Sequence, residues 1–124
     1  MSWLEAQSIE DLRTSTVNMA ELLYGAEILD DIIKRRSLEK WIAEIVRPWL
    51  HGRITEVNEN ALLRWRLMIR NAQFAGAPVP EIDLLVAAVA LENNLTIATR
   101  DAKPFISTGV PVLNPWTGER FNGA

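Results

Sequence analysis

Between Pro78 and Phe105 the sequence predicts a turn, an apolar helix, a short buried strand and a second turn. The helix, from about Ile82 to Glu92, is apolar nearly all round through Leu84, Leu85, Val86, Val89 and Leu91, so neighbouring elements must cover it. Asp83 lies at its front, and Asp101 lies just past the strand expected from Leu95 to Thr99. A parallel sheet would bring both carboxylates to one edge. Two acids on such a rim can hold a divalent cation. A simpler role fits as well: an acid in the first turn caps a helix and complements its dipole, worth about 0.5–2 kcal/mol. Asp101 has the same option before the Ala102 to Phe105 turn.

The rest of the chain alternates short strands with helices. Arg13 to Val17 is rich in β-branched residues, which suits a strand. Asn18 can cap a helix from Met19 to about Asp31, with Glu21 completing a capping box. Ser37 can cap the next helix, Leu38 to about Trp49, whose inward stripe would be Leu38, Trp41, Ile42, Ile45 and Trp49, with Pro48 weakening its last turn. Arg53 to Val57 offers a second strand. Asn58 or Glu59 opens a third helix in which Leu62, Trp65, Ile69 and Ala72 share a face, Arg66 and Arg70 stand one turn apart, and Gly76 and Pro78 mark the end. Val110 to Leu113 is the fourth strand. Such alternation calls for an α/β fold with a parallel sheet. Ahead of all this, Ser2 to Asp11 reads as the end of a helix running into a turn.

Composition narrows the function classes. A length of 124 residues suits one domain with a proper core. The absence of cysteine excludes disulfide frameworks and thiolate metal sites, and the reducing cytoplasm is the expected compartment. A net charge of −3 gives no global field for nucleic acid, so any such binding must rely on a local basic patch. The apolar runs are too short to span a bilayer, so no membrane association is expected.

Several segments resemble a known family in order and approximate spacing: Val17-Asn-Met-Ala-Glu-Leu-Leu-Tyr-Gly25, Gly52-Arg-Ile54, Asp83-Leu-Leu-Val-Ala-Ala88, Thr99-Arg-Asp101 and Asn114-Pro-Trp116. Together they are similar to the toxin-type PIN-domain ribonucleases, the VapC and FitB group. The resemblance implies a single PIN-like three-layer α/β/α domain over residues 1–124. It also implies a cluster of acids at the carboxyl ends of a short parallel sheet that binds Mg²⁺ or Mn²⁺ and cuts RNA. The matching acids are Glu21, Asp83 and Asp101, with Thr99 at a hydroxyl position that supports them. Oxygen ligands suit such hard cations, and a metal-activated water removes the need for a serine, cysteine or histidine nucleophile. His51 is accordingly expected in a surface turn. Of the basic residues, Arg100, Arg36 and Arg70, with Lys34, Arg35 and Arg66, are candidates to hold RNA phosphates, although each also fits an ordinary solvated charge.

The resemblance further implies a VapB-like antitoxin whose carboxy-terminal arm fills a groove between the early helices, and a homodimer. Leu23, Tyr24, Ile28, Leu38 and Trp41 are candidates for that groove, and their helical spacing fits a core equally. A module that binds a partner without cutting RNA is the alternative function.

One departure bears on activity. The family pattern begins with a hydrophobic central strand that ends in an Asp, followed by a helix leading to a Trp-Leu pair. Here Trp3 and Leu4 match that pair, so the first strand and its acid have no counterpart in the chain. Removing a central strand of about 5–6 residues leaves unpaired backbone groups that cost about 1–3 kcal/mol each when buried. We expect a longer protein read from a downstream start; the other accounts are a rearrangement or a strand from another chain. An upstream frame encoding an apolar strand with Asp tests that expectation.

Overall fold

The structure is a computed structural model and describes residues 13–76 and 79–124. The readings at Ser2 to Asp11, the Trp3-Leu4 pair and Pro78 lie outside the described residues. The chain clusters into two compact units, one built from Glu10–Glu56 and the other centred on Val57–Ala124.

In the first unit, β1 (Thr14–Ser15) pairs in parallel with β2 (Ile54–Thr55), Thr14 opposite Ile54 and Ser15 opposite Thr55. The helix α1 (Thr16–Glu27) follows at once because extended Ser15 caps it. The Ser15 Oγ accepts from the Asn18 N–H at 3.2 Å and its hydroxyl donates to Asn18 Oδ1 at 2.6 Å. This corrects the expected cap at Asn18 and capping box at Glu21. The serine, at the strand end, satisfies the free N–H groups three residues earlier, which also shortens the strand expected up to Val17.

The next helix likewise starts before its expected cap. Asp31 Oδ1 accepts from the N–H of Ile33 at 2.9 Å and of Lys34 at 3.2 Å, so α2 (Ile32–Trp41) begins there and Ser37 lies within it. It runs on through a π-helical segment (Ile42–Val46) into α3 (Arg47–Trp49). The cause is Pro48, which lacks an N–H and whose ring crowds the carbonyl one turn back; widening the turn, with the Arg47 N–H on the Ile42 carbonyl, relieves both. Ile42, Val46 and Leu50 then form the buried row, packed with Met19 and Ala26 and flanked by Leu22, Leu38 and Ile54. Trp41, Ile45 and Trp49, expected inward, are exposed.

In the second unit, Asn58 caps α4 (Glu59–Ala75) by accepting the Ala61 N–H at 2.9 Å, and Gly76 leaves the helix at φ +66° as a residue without a Cβ can. The apolar helix α5 (Glu81–Glu92) buries Leu84, Ala87, Ala88, Val89 and Ala90. Its start is tied to α4 where Trp65 Nε1 donates to the Glu81 carbonyl at 2.8 Å, and its end where Arg64 meets Glu92 at 2.9 Å.

A three-stranded sheet completes this unit. β3 (Ile97–Ala98) pairs in parallel with β4 (Val112–Leu113), and β4 pairs antiparallel with β5 (Arg120–Phe121). Between β3 and β4 runs the short α6 (Lys103–Ile106). Ala87, Ala90, Phe105, Val110 and Val112 form the core. The parallel pairs and alternating helices bear out the α/β fold. β5 was not foreseen, although Pro115 followed by Gly118 and then Glu-Arg-Phe carries the signal of a turn and a return strand. Among the described residues no helix is long and apolar enough to cross a membrane.

Candidate metal centre and its surroundings

Asp83 sits in the first turn of α5 and is half-buried; Asp101 is exposed in the turn that leaves β3. Both belong to the second unit. Burial raises the Asp83 pKa above its ordinary value, and the negative charge of Asp101 raises it further. The structure therefore brings these two carboxylates within electrostatic reach of each other. That is an unfavourable pairing for the bare protein, and a cation relieves it.

Neither acid caps a helix, although Asp83, in the first turn of α5, complements that helix's dipole. The residue preceding α5 is Pro80, and no side chain caps that helix. Ala102 precedes α6, again without a side-chain cap. Neither aspartate is used as an N-cap.

The Thr99 to Asp101 turn is held from several sides. Thr99 Oγ1 accepts the Asp101 N–H at 3.1 Å and donates to the Asp101 carbonyl at 3.4 Å. Asn114 Nδ2 donates to the Arg100 carbonyl at 3.4 Å, and the Arg100 guanidinium lies over the Trp116 ring, 4.5 Å from its centroid. Trp116 was not among the expected site residues; its place in Asn114-Pro-Trp116, three residues after β4, was the available signal.

The remaining candidates distribute as follows. Glu21 is exposed on α1 of the first unit and takes no part in the cap that Ser15 and Asn18 form. Arg36 is exposed on α2 of the same unit. Arg35 instead bridges Glu27 at 2.8 Å and Glu39 at 2.9 Å, which removes it from the phosphate-binding set. Arg66 and Arg70, with Leu67, Ile69 and Glu81, line an open hollow of about 420 Å³ in the second unit. His51 is in an exposed turn, as expected. Among the described residues no three His, Asp or Glu side chains are grouped to hold one metal ion.

The donor set that remains, two carboxylates supplying only oxygen, is compatible with a magnesium-like ion, which commonly uses one or two carboxylates and keeps several waters. Nothing in it suits a soft or nitrogen-preferring metal.

The early helices carry an unusual apolar surface. Tyr24 is 60% exposed, Ile28 58% and Ile33 75%, with Leu23 and Trp41 exposed as well. Of the five groove candidates only Leu38 packs against the core. The others leave the core reading behind.

Comparison with known proteins bears on the family and the fold. Residues 1–110 match the model of the PIN domain family. The chain is 29% identical over 116 residues to the VapC ribonuclease Y4jK of Sinorhizobium fredii, covering 94% of this chain and 83% of the relative. It is 30% identical over 116 residues to Toxin FitB of Neisseria gonorrhoeae, covering 94% and 84%. In structure it is similar to FitAcB from Neisseria gonorrhoeae with a TM-score of 0.84 and 31% identity, covering 92% of this chain and 82% of that one.

Proposed function

Because this chain belongs to the PIN domain family, with relatives in its VapC and FitB toxin group, we propose that it is a metal-dependent endoribonuclease and the toxin of a type II toxin–antitoxin pair. The observation that carries the reading is the Asp83 and Asp101 pair, in which burial and the nearby Asp101 charge raise the Asp83 pKa and neither carboxylate serves as a helix N-cap. Asp83 and Asp101 hold Mg²⁺ or Mn²⁺, and Glu21, on the other unit, has the family match alone in favour of a catalytic role. When bound, such a cation polarises a phosphoryl oxygen and lowers the pKa of an attacking water. Thr99 holds the turn that carries Asp101. Arg100, with Arg70 and Arg36, contacts RNA phosphates, which position the strand without reading its sequence.

The exposed Tyr24, Ile28 and Ile33 favour a protein partner on the early helices. A VapB-like antitoxin is that partner, and the FitAcB neighbour supports it. The protein works in the cytoplasm as a homodimer. The same exposed face supports a second reading, a module that docks a partner without cutting RNA.

RNA cleavage assays with EDTA, and with Glu21→Gln and Asp83→Asn proteins, separate the two. Loss of cutting in all three is expected, and metal-independent cutting contradicts the nuclease reading. Calorimetry with Mn²⁺ distinguishes the silent module, which gives no binding heat that depends on Asp83.

A further inference from the structure

We propose that Trp116 is a stacking platform for an unpaired base of single-stranded RNA, held beside the acidic turn by Arg100. The proposal rests on the nuclease reading for the identity of its ligand and deepens it by naming the form of RNA.

Three observations carry it. First, Trp116 is 62% exposed in a chain that buries much smaller apolar side chains, so its ring is presented rather than packed. Second, the backbone that carries the ring is held. Asn114 Oδ1 accepts the N–H of Trp116 at 2.9 Å and of Thr117 at 3.3 Å, and the Gly118 N–H donates to the Asn114 carbonyl at 2.8 Å. This turn leads from β4 into β5, so the indole is mounted on the sheet. Third, the Arg100 guanidinium lies over the ring at 4.5 Å, and the residue after Arg100 is Asp101. Two turns, joined by the Arg100–Trp116 contact, thus bring together an aromatic face, a cation and a candidate metal ligand.

The chemistry of that combination selects its ligand. An indole accepts the π-face of any base, and a guanidinium over it adds a cation–π contact and a charge for phosphate. A base paired in a helix keeps both faces stacked on its neighbours and offers neither to an indole, so the occupant is an unstacked base in a single strand or loop. The stack orients the strand so that its backbone runs past Asp101. Trp116 is therefore a positioning residue.

The test is binding of a ten-nucleotide single-stranded RNA carrying 2-aminopurine, followed by anisotropy and by 2-aminopurine quenching in EDTA, where the metal plays no part. Wild-type protein is expected to quench the probe. Trp116→Leu is expected to bind about tenfold or more weakly, within the range for loss of one stacked base, and to lose the quenching, while Trp116→Phe retains part of both. An RNA abasic at the stacked position should weaken wild-type binding by a similar factor and leave Trp116→Leu unchanged. A Trp116→Leu protein that binds and quenches like wild type overturns the proposal, as does equal wild-type affinity for the abasic probe at every position. So does a variant that binds RNA normally and loses only a protein partner. The nuclease reading fails separately, if Asp83→Asn protein still cuts RNA.

Discussion

The Asp101 N–H donates to Thr99 Oγ1 at 3.1 Å, so the threonine hydroxyl supports the acid through its backbone. A second bond from the same hydroxyl to the Asp101 carbonyl, at 3.4 Å, closes the turn on itself. Groups that orient a ligand behind the metal typically contribute about 10–100-fold to affinity or activity. Thr99→Val is therefore expected to weaken Mn²⁺ binding and cleavage by about tenfold, and Thr99→Ser to retain most of both. Calorimetry and single-turnover cleavage on the two variants check this.

Asp83 makes both stability and activity depend on pH. Its pKa lies above the ordinary 3.8, so between that value and the raised one the folded protein holds more protons than the unfolded chain. Stability of the metal-free protein thus falls as pH rises through that window. Asp83→Asn removes this slope and should leave the metal-free protein as stable as wild type, or more so, at neutral pH. Metal binding runs the other way: protons compete for Asp83, and Mn²⁺ affinity should decline as pH falls through the raised pKa. Thermal melts and Mn²⁺ titrations across acid pH read the two trends. A metal-free Asp83→Asn protein that melts well below wild type at neutral pH would contradict this.

Much of this was legible in the residues. The α/β alternation, the α5 helix and the Asp101 turn all follow from apolar runs and turn residues that are local in sequence. Helix starts were less so, because Ser15 and Asp31 compete with Asn18 and Ser37 as caps and the winner depends on where the preceding element stops. The buried row that follows α2 was partly hidden for a different reason. Of the expected stripe Leu38 and Ile42 do face the core, but Trp41, Ile45 and Trp49 fit a helical stripe as well as Val46 and Leu50 do, and the widened turn before Pro48 decides between them. The coupling of Asp83 to Asp101 was readable from their positions at the two ends of a helix–strand unit, whereas the stacking of Arg100 on Trp116 needed β5 and its turn.

The π-helical register can be tested through stability. Ile42 is 1% exposed and Ile45 57% exposed. Ile42→Ala is expected to cost about 2–5 kcal/mol, as for a fully buried aliphatic side chain. Ile45→Ala should cost well under about 1 kcal/mol, as surface changes do. Urea unfolding of both variants gives the comparison, and equal losses would mean that both rows are buried.

The exposed face of the early helices predicts a separation of binding from folding. Ile33 is 75% exposed, so Ile33→Asp should change stability by no more than about 0.5 kcal/mol. If an antitoxin covers this face, the same change should weaken that complex at least about tenfold, since charge in an apolar contact is left unpaired. Co-purification and calorimetry with a VapB-like antitoxin provide the readout.

The sharpest test is a Mn²⁺ titration of wild-type, Asp83→Asn and Asp101→Asn proteins by calorimetry, with thermal melts alongside. At a metal concentration near 100 times the dissociation constant, wild-type protein should gain about 2.7 kcal/mol of stability. The account predicts one site per chain, lost in either variant, with both variants still folded. Equal Mn²⁺ binding by all three proteins would contradict it.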